Sequence, residues 1–541
     1  MTQVVKTHEA LQIPIFMSTN NDWMRSVVEI AQSKGYEVER CSQGIVIWRP
    51  TLVNKESNAL ESVEAILVSR ESLPNTNNKF ICLIPKRLYF KNGKNQPSYE
   101  IEHLILEGRK RKFSPMNIVI KEIIRFGDLL VSSNKFSALP QPSTQHDIEI
   151  LKFTRAEGAA SEFPLTKDMW QSCSANGWKN YPEHLTIHFI GDPNDPRTAK
   201  FILDYTRSVK EKWSRATCSL GGLSVKAWSL LSFLERAKAT TNKPQTFSEN
   251  DVVVIALTGK KGEPLPDLQS ELMNILDNWQ QSYRLVSLST VKNNYWSSTH
   301  VLSLLNSVGA PYSLRLPFPK PFDSGVFLGI DIGHDHTHRT SNIVVTAVNP
   351  EGKLVASTSK TLTLNEALYL EHIKTMLKET IVLAERRQNK IIDQAIIIRD
   401  GRIPNNNKYK TYETVHEYVT ALGIPSTLIE LRKRNNPPIF LKNKAEIAIG
   451  VNFHLSSSNV RYATFYDCKI GIPNTFKIVL PKGADGLGWG IDAYVKILCG
   501  LCYTPSLGSQ PHLPGPIYWA DGFAKTSKLN NQFRGHYVDW H

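Results

Sequence analysis

Gly325-Val-Phe-Leu-Gly-Ile-Asp-Ile-Gly333 is an apolar run that carries one acid, Asp331, near its end. Its length and its aliphatic residues predict a buried strand. After the polar turn HDHTHRTS a second strand follows, Asn342 to Val348, and the turn NPEG leads to a third, Lys353 to Ser359. Three such runs joined by short polar turns form an antiparallel meander. Leu370, Ile373, Met376, Leu377, Ile381 and Leu383 then recur at helical spacing and predict a helix from Glu366 to about Arg387. Ile391 to Arg399 is rich in apolar residues, continuous from Ala395 to Ile398, so it reads as a buried central strand, and it ends on Asp400 before a turn at Gly401.

Meander, helix and central strand, in that order, are the order of the RNase H fold, where the first and last of these strands are neighbours. On that order the carboxylates of Asp331 and Asp400 emerge on one edge of the sheet. Hydrolysis of a phosphodiester by two hard cations about 4 Å apart needs carboxylates that meet at one point. A buried, unpaired Asp on an apolar strand is costly, and a bound cation is a reason for it to be there. Either acid alone reads as a strand cap; the pair, in this order of elements, reads as a site. Two further acids, Glu366 at the head of the helix and Asp521 within LPGPIYWADGFAKTSK, read by themselves as charges at helix N-termini. His334, Asp335, His336 and His338 have the look of a metal box, yet alternate residues in a turn face solvent more often than they converge.

Upstream the pattern differs. From about Tyr181 a strand (HLTIHFIGD), a helix (RTAKFILDYTRSVKEKW), a strand (Asp251 to Leu257), a helix (Leu268 to Gln281) and a short strand (Arg284 to Leu288) alternate. Such alternation predicts a parallel sheet covered by helices, with ligands beyond the carboxyl ends of its strands. This α/β domain is placed at 181–318, and PFPKPFDSG, Pro317 to Gly325, reads as a hinge into a last domain at 324–541. Residues 1–160 mix strand-like runs (Gly44 to Arg49, Phe80 to Pro85) with polar loops, and SSNKFSALPQPSTQHD, Ser132 to Asp147, reads as a linker. The basic stretch Gly108 to Phe113 is a solvated loop or a phosphate contact.

The chain has 541 residues, enough for about three or four domains. Its 64 Lys and Arg exceed 50 Asp and Glu, a formal charge of +14 that favours a polyanionic partner such as nucleic acid. Seven scattered cysteines are unlike a secreted disulfide framework and fit a reducing cytoplasm; Cys499 and Cys502 read as helix packing rather than as a zinc or redox pair. Neither a signal peptide nor a membrane span is predicted. Trp279, Tyr283 and Trp296 could stack bases, but core packing is the plainer expectation.

The GIDIG strand, the RDGR turn at Arg399 to Arg402, the ELRKRN stretch at Glu430 to Asn435 and the late PIYWAD segment resemble the prokaryotic Argonautes. The resemblance implies an α/β chain: an RNase H-like PIWI domain at 324–541, a Rossmann-like MID domain at 181–318, and a divergent mixed α+β region at 1–160, with the PAZ domain missing or reduced. It implies a catalytic tetrad of Asp331, Glu366 (alternate Glu371), Asp400 and Asp521, with two Mg2+ or Mn2+ ions held by Asp331, Asp400 and Asp521. The partners implied are a short guide DNA or RNA and a complementary target strand, DNA by family habit, with a protein partner supplying missing functions and a role in defence against foreign DNA. Of the residues with which many members grip a guide 5′-phosphate, the helix Tyr and Lys are absent from DLQSELMNILDNW, Ser287 or a neighbour takes the place of the Gln after the next strand, and Asn306 and Ser307 precede the Gly309-Ala-Pro311 turn. Lys260, Lys261 and Lys292 are the expected substitutes, and Lys433 and Arg434 are expected backbone-phosphate contacts. The other functions compatible with these residues are a guide-loaded module that recruits an effector without cutting, and an unguided RNase H-like nuclease.

Overall fold

Alternation along the Asp331 strand decides which side of its sheet each residue serves. The computed structural model describes residues 11–19, 22–57, 60–71, 79–91, 94–96, 116–139, 145–147, 152–154, 160–162, 183–191, 196–216, 221–239, 251–257, 267–279, 283–287, 304, 313–314, 316, 318–335, 339–363, 369–401, 413–441, 446–447, 451–454, 459–465, 475–502, 513–526 and 538–539. The strand runs from Gly325 past Asp331 to Asp335 and pairs antiparallel with Thr340–Val348, which pairs antiparallel with Leu354–Thr363. On its other side lies Gln394–Asp400, in parallel, followed by Ser426–Arg432. Meander and central strand therefore stand in the RNase H order. Asp331 is interior to its strand rather than near the end, because pairing with Thr340–Val348 continues through Asp335.

Successive strand side chains point to opposite faces. Val326, Leu328 and Ile330 share one face with Ile343, Val345 and Ala347 of the next strand and with Ala395 and Ile397 of the central strand. That face is covered by Ile373, Met376, Leu377, Ile381 and Ala384 of the helix Tyr369–Gln388. Gly329, Asp331 and Gly333 fall on the opposite face, where the helix Gly515–Thr526 lies against the strand. The described part of the first helix begins at Tyr369, and Glu366 lies outside the described residues.

The second sheet of this part of the chain is parallel. Its order is Gly222–Trp228, His184–Ile190, Asp251–Leu257, Tyr283–Ser287, with Val538–Asp539 added beside the last. The helices Pro196–Ala216, Leu230–Lys238 and Asp267–Asn278 supply Phe201, Tyr205, Val209 and Trp213 to one core and Phe233, Leu234, Leu272 and Leu276 to another. The expected βαβ alternation is present. The strand Gly222–Trp228 and the helix Leu230–Lys238 escaped the sequence reading because the strand's residues are half-exposed and lack a clear apolar period. Trp279 and Tyr283 are buried in the core, as packing predicts, and Trp296 lies outside the described residues.

By contacts, 150–430 and 481–541 form one unit, and 1–149 and 431–480 form another. The second unit contains an antiparallel sheet ordered Glu37–Cys41, Gly44–Ser57, Leu60–Glu71, Phe80–Lys91, Ile15–Ser18, Phe136–Ala138. Ile45, Ile47, Ile66, Val68, Ile81 and Leu83 take one face, under the helices Trp23–Ser33 and Met116–Ser132. Val46, Ala65, Leu67 and Cys82 take the other, with Ile439, Val460 and Tyr462. The segment read as a linker holds two paired strands, Phe136–Ala138 on Ile15–Ser18 and Gln145–Asp147 on Val451–His454. Its Ser and Pro residues flank short edge strands, so composition alone misread it. The stretch 108–113 lies outside the described residues.

Cys499 and Cys502 are buried on the helix Ile491–Leu501 and its cap, and burial pushes both thiols above the usual range, which fits packing. Among the described residues no helix is long and apolar enough to cross a membrane.

Candidate metal centre

Three carboxylates converge. One oxygen each of Asp331, Asp400 and Asp521 lies within 4.8 Å of the others, and Asp331 and Asp400 are buried while Asp521 is half-buried. The convergence follows from register. Ile330 pairs with Arg399 across the parallel strands, so the next residues, Asp331 and Asp400, stand side by side and point to the same face. Asp400 is the last strand residue, and Gly401 turns the chain at φ 83°, a left-handed conformation that costs glycine little.

The third acid arrives on a helix that touches strand backbone. A Cβ on Gly329 would stand 2.3 Å from the Pro516 carbonyl oxygen, and one on Gly333 would stand 3.0 Å from that of Ala524. Glycines two residues before and after Asp331 thus leave room for the helix that brings Asp521 to it. That helix starts at Gly515, with Pro516 in its first turn where a missing N–H is harmless. Asp521 therefore sits in mid-helix, which corrects the reading of it as an N-terminal charge.

The electrostatics favour a cation. Two like charges about 5 Å apart repel by about 3 kcal/mol at an effective dielectric of 20, and three carboxylates make three such pairs. Arg399 Nη1 stands 3.9 Å from Asp331 Oδ1 and also donates to the Ile330 carbonyl, so it offsets roughly one pair. The Ile332 N–H donates to Asp331 Oδ1 at 2.8 Å and fixes that carboxylate. All three donors are hard oxygens, the set that suits Mg2+ or Mn2+.

Other expected residues fall elsewhere. Glu371, the alternate to Glu366, is exposed in the first turn of its helix and pairs with Lys374 at 3.0 Å. Lys260, Lys261 and Lys292 lie outside the described residues. Lys433 is half-buried and Arg434 exposed, just after the strand Ser426–Arg432. His334 is exposed and its Nδ1 meets the Ser341 hydroxyl at 2.8 Å, while His336 and His338 lie outside the described residues. Sequence reasoning missed Arg399, Gly329 and Gly333 as parts of the site. The signal for the glycines was present: they share Asp331's parity along one strand.

The sheet order and the three acids define an RNase H-like α/β domain with an acidic cluster that could hold a metal ion. Residues 294–532 match the Piwi domain family. Argonaute structures share the fold. Marinitoga piezophila Argonaute, in complex with a 5′-OH guide RNA and target DNA, is similar at a TM-score of 0.63 and 13% identity, over 94% of this chain and 86% of that one. Clostridium butyricum Argonaute, bound to a guide DNA and a 19-mer target DNA, gives 0.59 and 12% over 95% and 87%. Drosophila Piwi gives 0.61 and 10% over 97% and 89%. No curated protein matches the chain in sequence. The chain carries a Piwi domain on an Argonaute-type fold.

Proposed function

We propose that the chain is a guide-directed endonuclease that cuts a guide-paired strand by two-metal hydrolysis. The convergence of Asp331, Asp400 and Asp521 carries this reading, because three like charges at one point have no structural use that a neutral side chain would not serve better. Asp331, Asp400 and Asp521 would hold the ions, and Glu366 would complete the acidic set. Bound there, Mg2+ or Mn2+ supplies an activated water and neutralises charge on the leaving oxygen. Arg399 and the Ile332 N–H hold the Asp331 carboxylate in place before any ion arrives.

In this reading 324–541 is the nuclease domain and 181–318 holds the guide's 5′ end, through Lys260, Lys261 and Lys292, while Lys433 and Arg434 contact backbone phosphates. The target is DNA, the setting cytoplasmic, and the role defence against foreign DNA, with a protein partner supplying what the chain lacks. The weak match to a phosphate-gripping residue set favours a guide whose 5′ end need not be phosphorylated, and the Marinitoga complex carries a 5′-OH guide on a similar fold.

The test is cleavage of a labelled DNA strand paired to a short guide, with guides bearing 5′-phosphate or 5′-hydroxyl at one salt concentration. Cleavage that stops in EDTA and returns with Mn2+ is expected. Full activity after exhaustive EDTA treatment overturns the metal reading, and equal cleavage without any guide overturns the guided one.

A further inference from the structure

Thr346 is fully buried on the strand Thr340–Val348, directly across from Gly329. Its hydroxyl donates to the Pro516 carbonyl at 2.8 Å, the same oxygen that Gly329 leaves room for. Thr346 lies between the fully buried Val345 and Ala347, where packing alone asks for no hydroxyl and a buried hydroxyl needs a partner. What the hydroxyl adds is a fixed distance between the sheet and the first turn of the helix that carries Asp521. At its far end the same helix meets Gly333 through Ala524. Asp521 lies between these two contacts, opposite Asp331.

We infer that Thr346 is a positioning residue for Asp521: its hydrogen bond to Pro516, with Gly329 beneath, sets the helix so that the third carboxylate reaches the other two. This deepens the metal reading above and rests on it. Without the hydroxyl, the Pro516 oxygen keeps only what the helix gives it, and the helix can rock about the Gly333 contact. Asp521 then spends less time at the distance that closes the cluster, so cation affinity falls while the sheet-borne pair stays in place.

The experiment measures free Mn2+ by electron paramagnetic resonance in titrations of the full-length protein, alongside cleavage rate and guide–target affinity. For Thr346→Val the Mn2+ midpoint is expected to rise about tenfold, the usual effect of losing a group that orients a metal ligand. Cleavage at saturating Mn2+ and guide–target affinity are expected to stay near wild type. Thr346→Ser keeps the hydroxyl and is expected to restore the wild-type midpoint, which a purely packing role for the methyl would not allow. Thr346→Ala serves as the second variant should Val fold poorly, with the same raised midpoint expected. If folded Thr346→Val or Thr346→Ala keeps the wild-type midpoint while Asp331→Ala loses Mn2+, the positioning role is overturned and the metal reading stands. If Asp331→Ala binds Mn2+ as wild type does, the metal reading itself fails. Loss of folding in both Val and Ala variants assigns Thr346 to stability alone and overturns the proposal.

Discussion

Two sheets each bury polar groups on neighbouring parallel strands, with opposite results. In the sheet that begins at His184, His188 Nε2 meets Asp251 Oδ2 at 3.1 Å, and Trp228 Nε1 donates to His188 Nδ1 at 3.2 Å. Opposite polarities face each other there, and the cluster is satisfied by its own members. At the sheet that includes Gly325–Asp335, the strand acids Asp331 and Asp400 meet the helix acid Asp521, like charges facing one another. Burial of a polar group is therefore a poor mark of function by itself. Convergence of like charges is a better one, because it leaves a demand that an added cation meets.

The largest effect should come from breaking the like-charged cluster. Asp331→Ala and Asp400→Ala are each expected to lower guided cleavage by on the order of a thousandfold or more, with the double variant little worse, since the acids act as a unit. Guide–target affinity, spread over many phosphate contacts, should hold or rise slightly as repulsion is relieved. Cleavage near the wild-type rate in either folded single variant removes the site.

How much of this was legible beforehand differs between the two sheets. The Asp331 strand is a long apolar run interrupted by one acid and the Asp400 strand a short apolar run that ends on one, local patterns that a single sequence displays. Asp521 was legible only through resemblance, because its helix is seated by contacts at Gly329 and Gly333, far away in sequence. His188 and Asp251 were not legible as a pair, since nothing local says that one strand will settle beside the other in that register. The association of 431–480 with 1–149 was hidden for the same reason: the strands Val460–Thr464 and Phe476–Val479 look like any short buried strands.

That second unit offers a sharper case of opposite charges. Lys477 Nζ donates to Glu71 in a buried pair, and the Lys477 ammonium also lies 5.5 Å from the centre of the Tyr462 ring. Burial lowers the Lys477 pKa from its ordinary value, with Glu71 working the other way. Lys477→Met leaves Glu71 buried without its cation and is expected to cost about 3–5 kcal/mol in urea unfolding. Replacing both, Lys477→Met with Glu71→Leu, should recover most of that loss. A single variant as stable as wild type would mean that the pair contributes nothing.

The smallest effect tests the self-satisfied cluster. Because Trp228 donates to Nδ1, the proton of neutral His188 sits on Nε2 and points to Asp251. Burial lowers the His188 pKa below 6.5, with Asp251 opposing and Lys226 assisting. A histidine with a lowered folded pKa takes up protons more readily when unfolded, so its contribution to stability is complete above about pH 6.5 and is lost as pH falls below that value toward the folded pKa. Protonation also places a second N–H against the Trp228 N–H, so acid breaks the hydrogen bond that set the tautomer. Trp228→Phe removes that donor in advance. It is expected to cost about 1 kcal/mol at pH 8 and to make the protein less sensitive to acid, because Nδ1 can then accept a proton without opposing a donor. The measurement is urea unfolding of both proteins from pH 8 to pH 5. Wild-type stability should fall more steeply below pH 6.5 than that of Trp228→Phe, and parallel profiles would show that the Trp228 bond does not govern the protonation of His188.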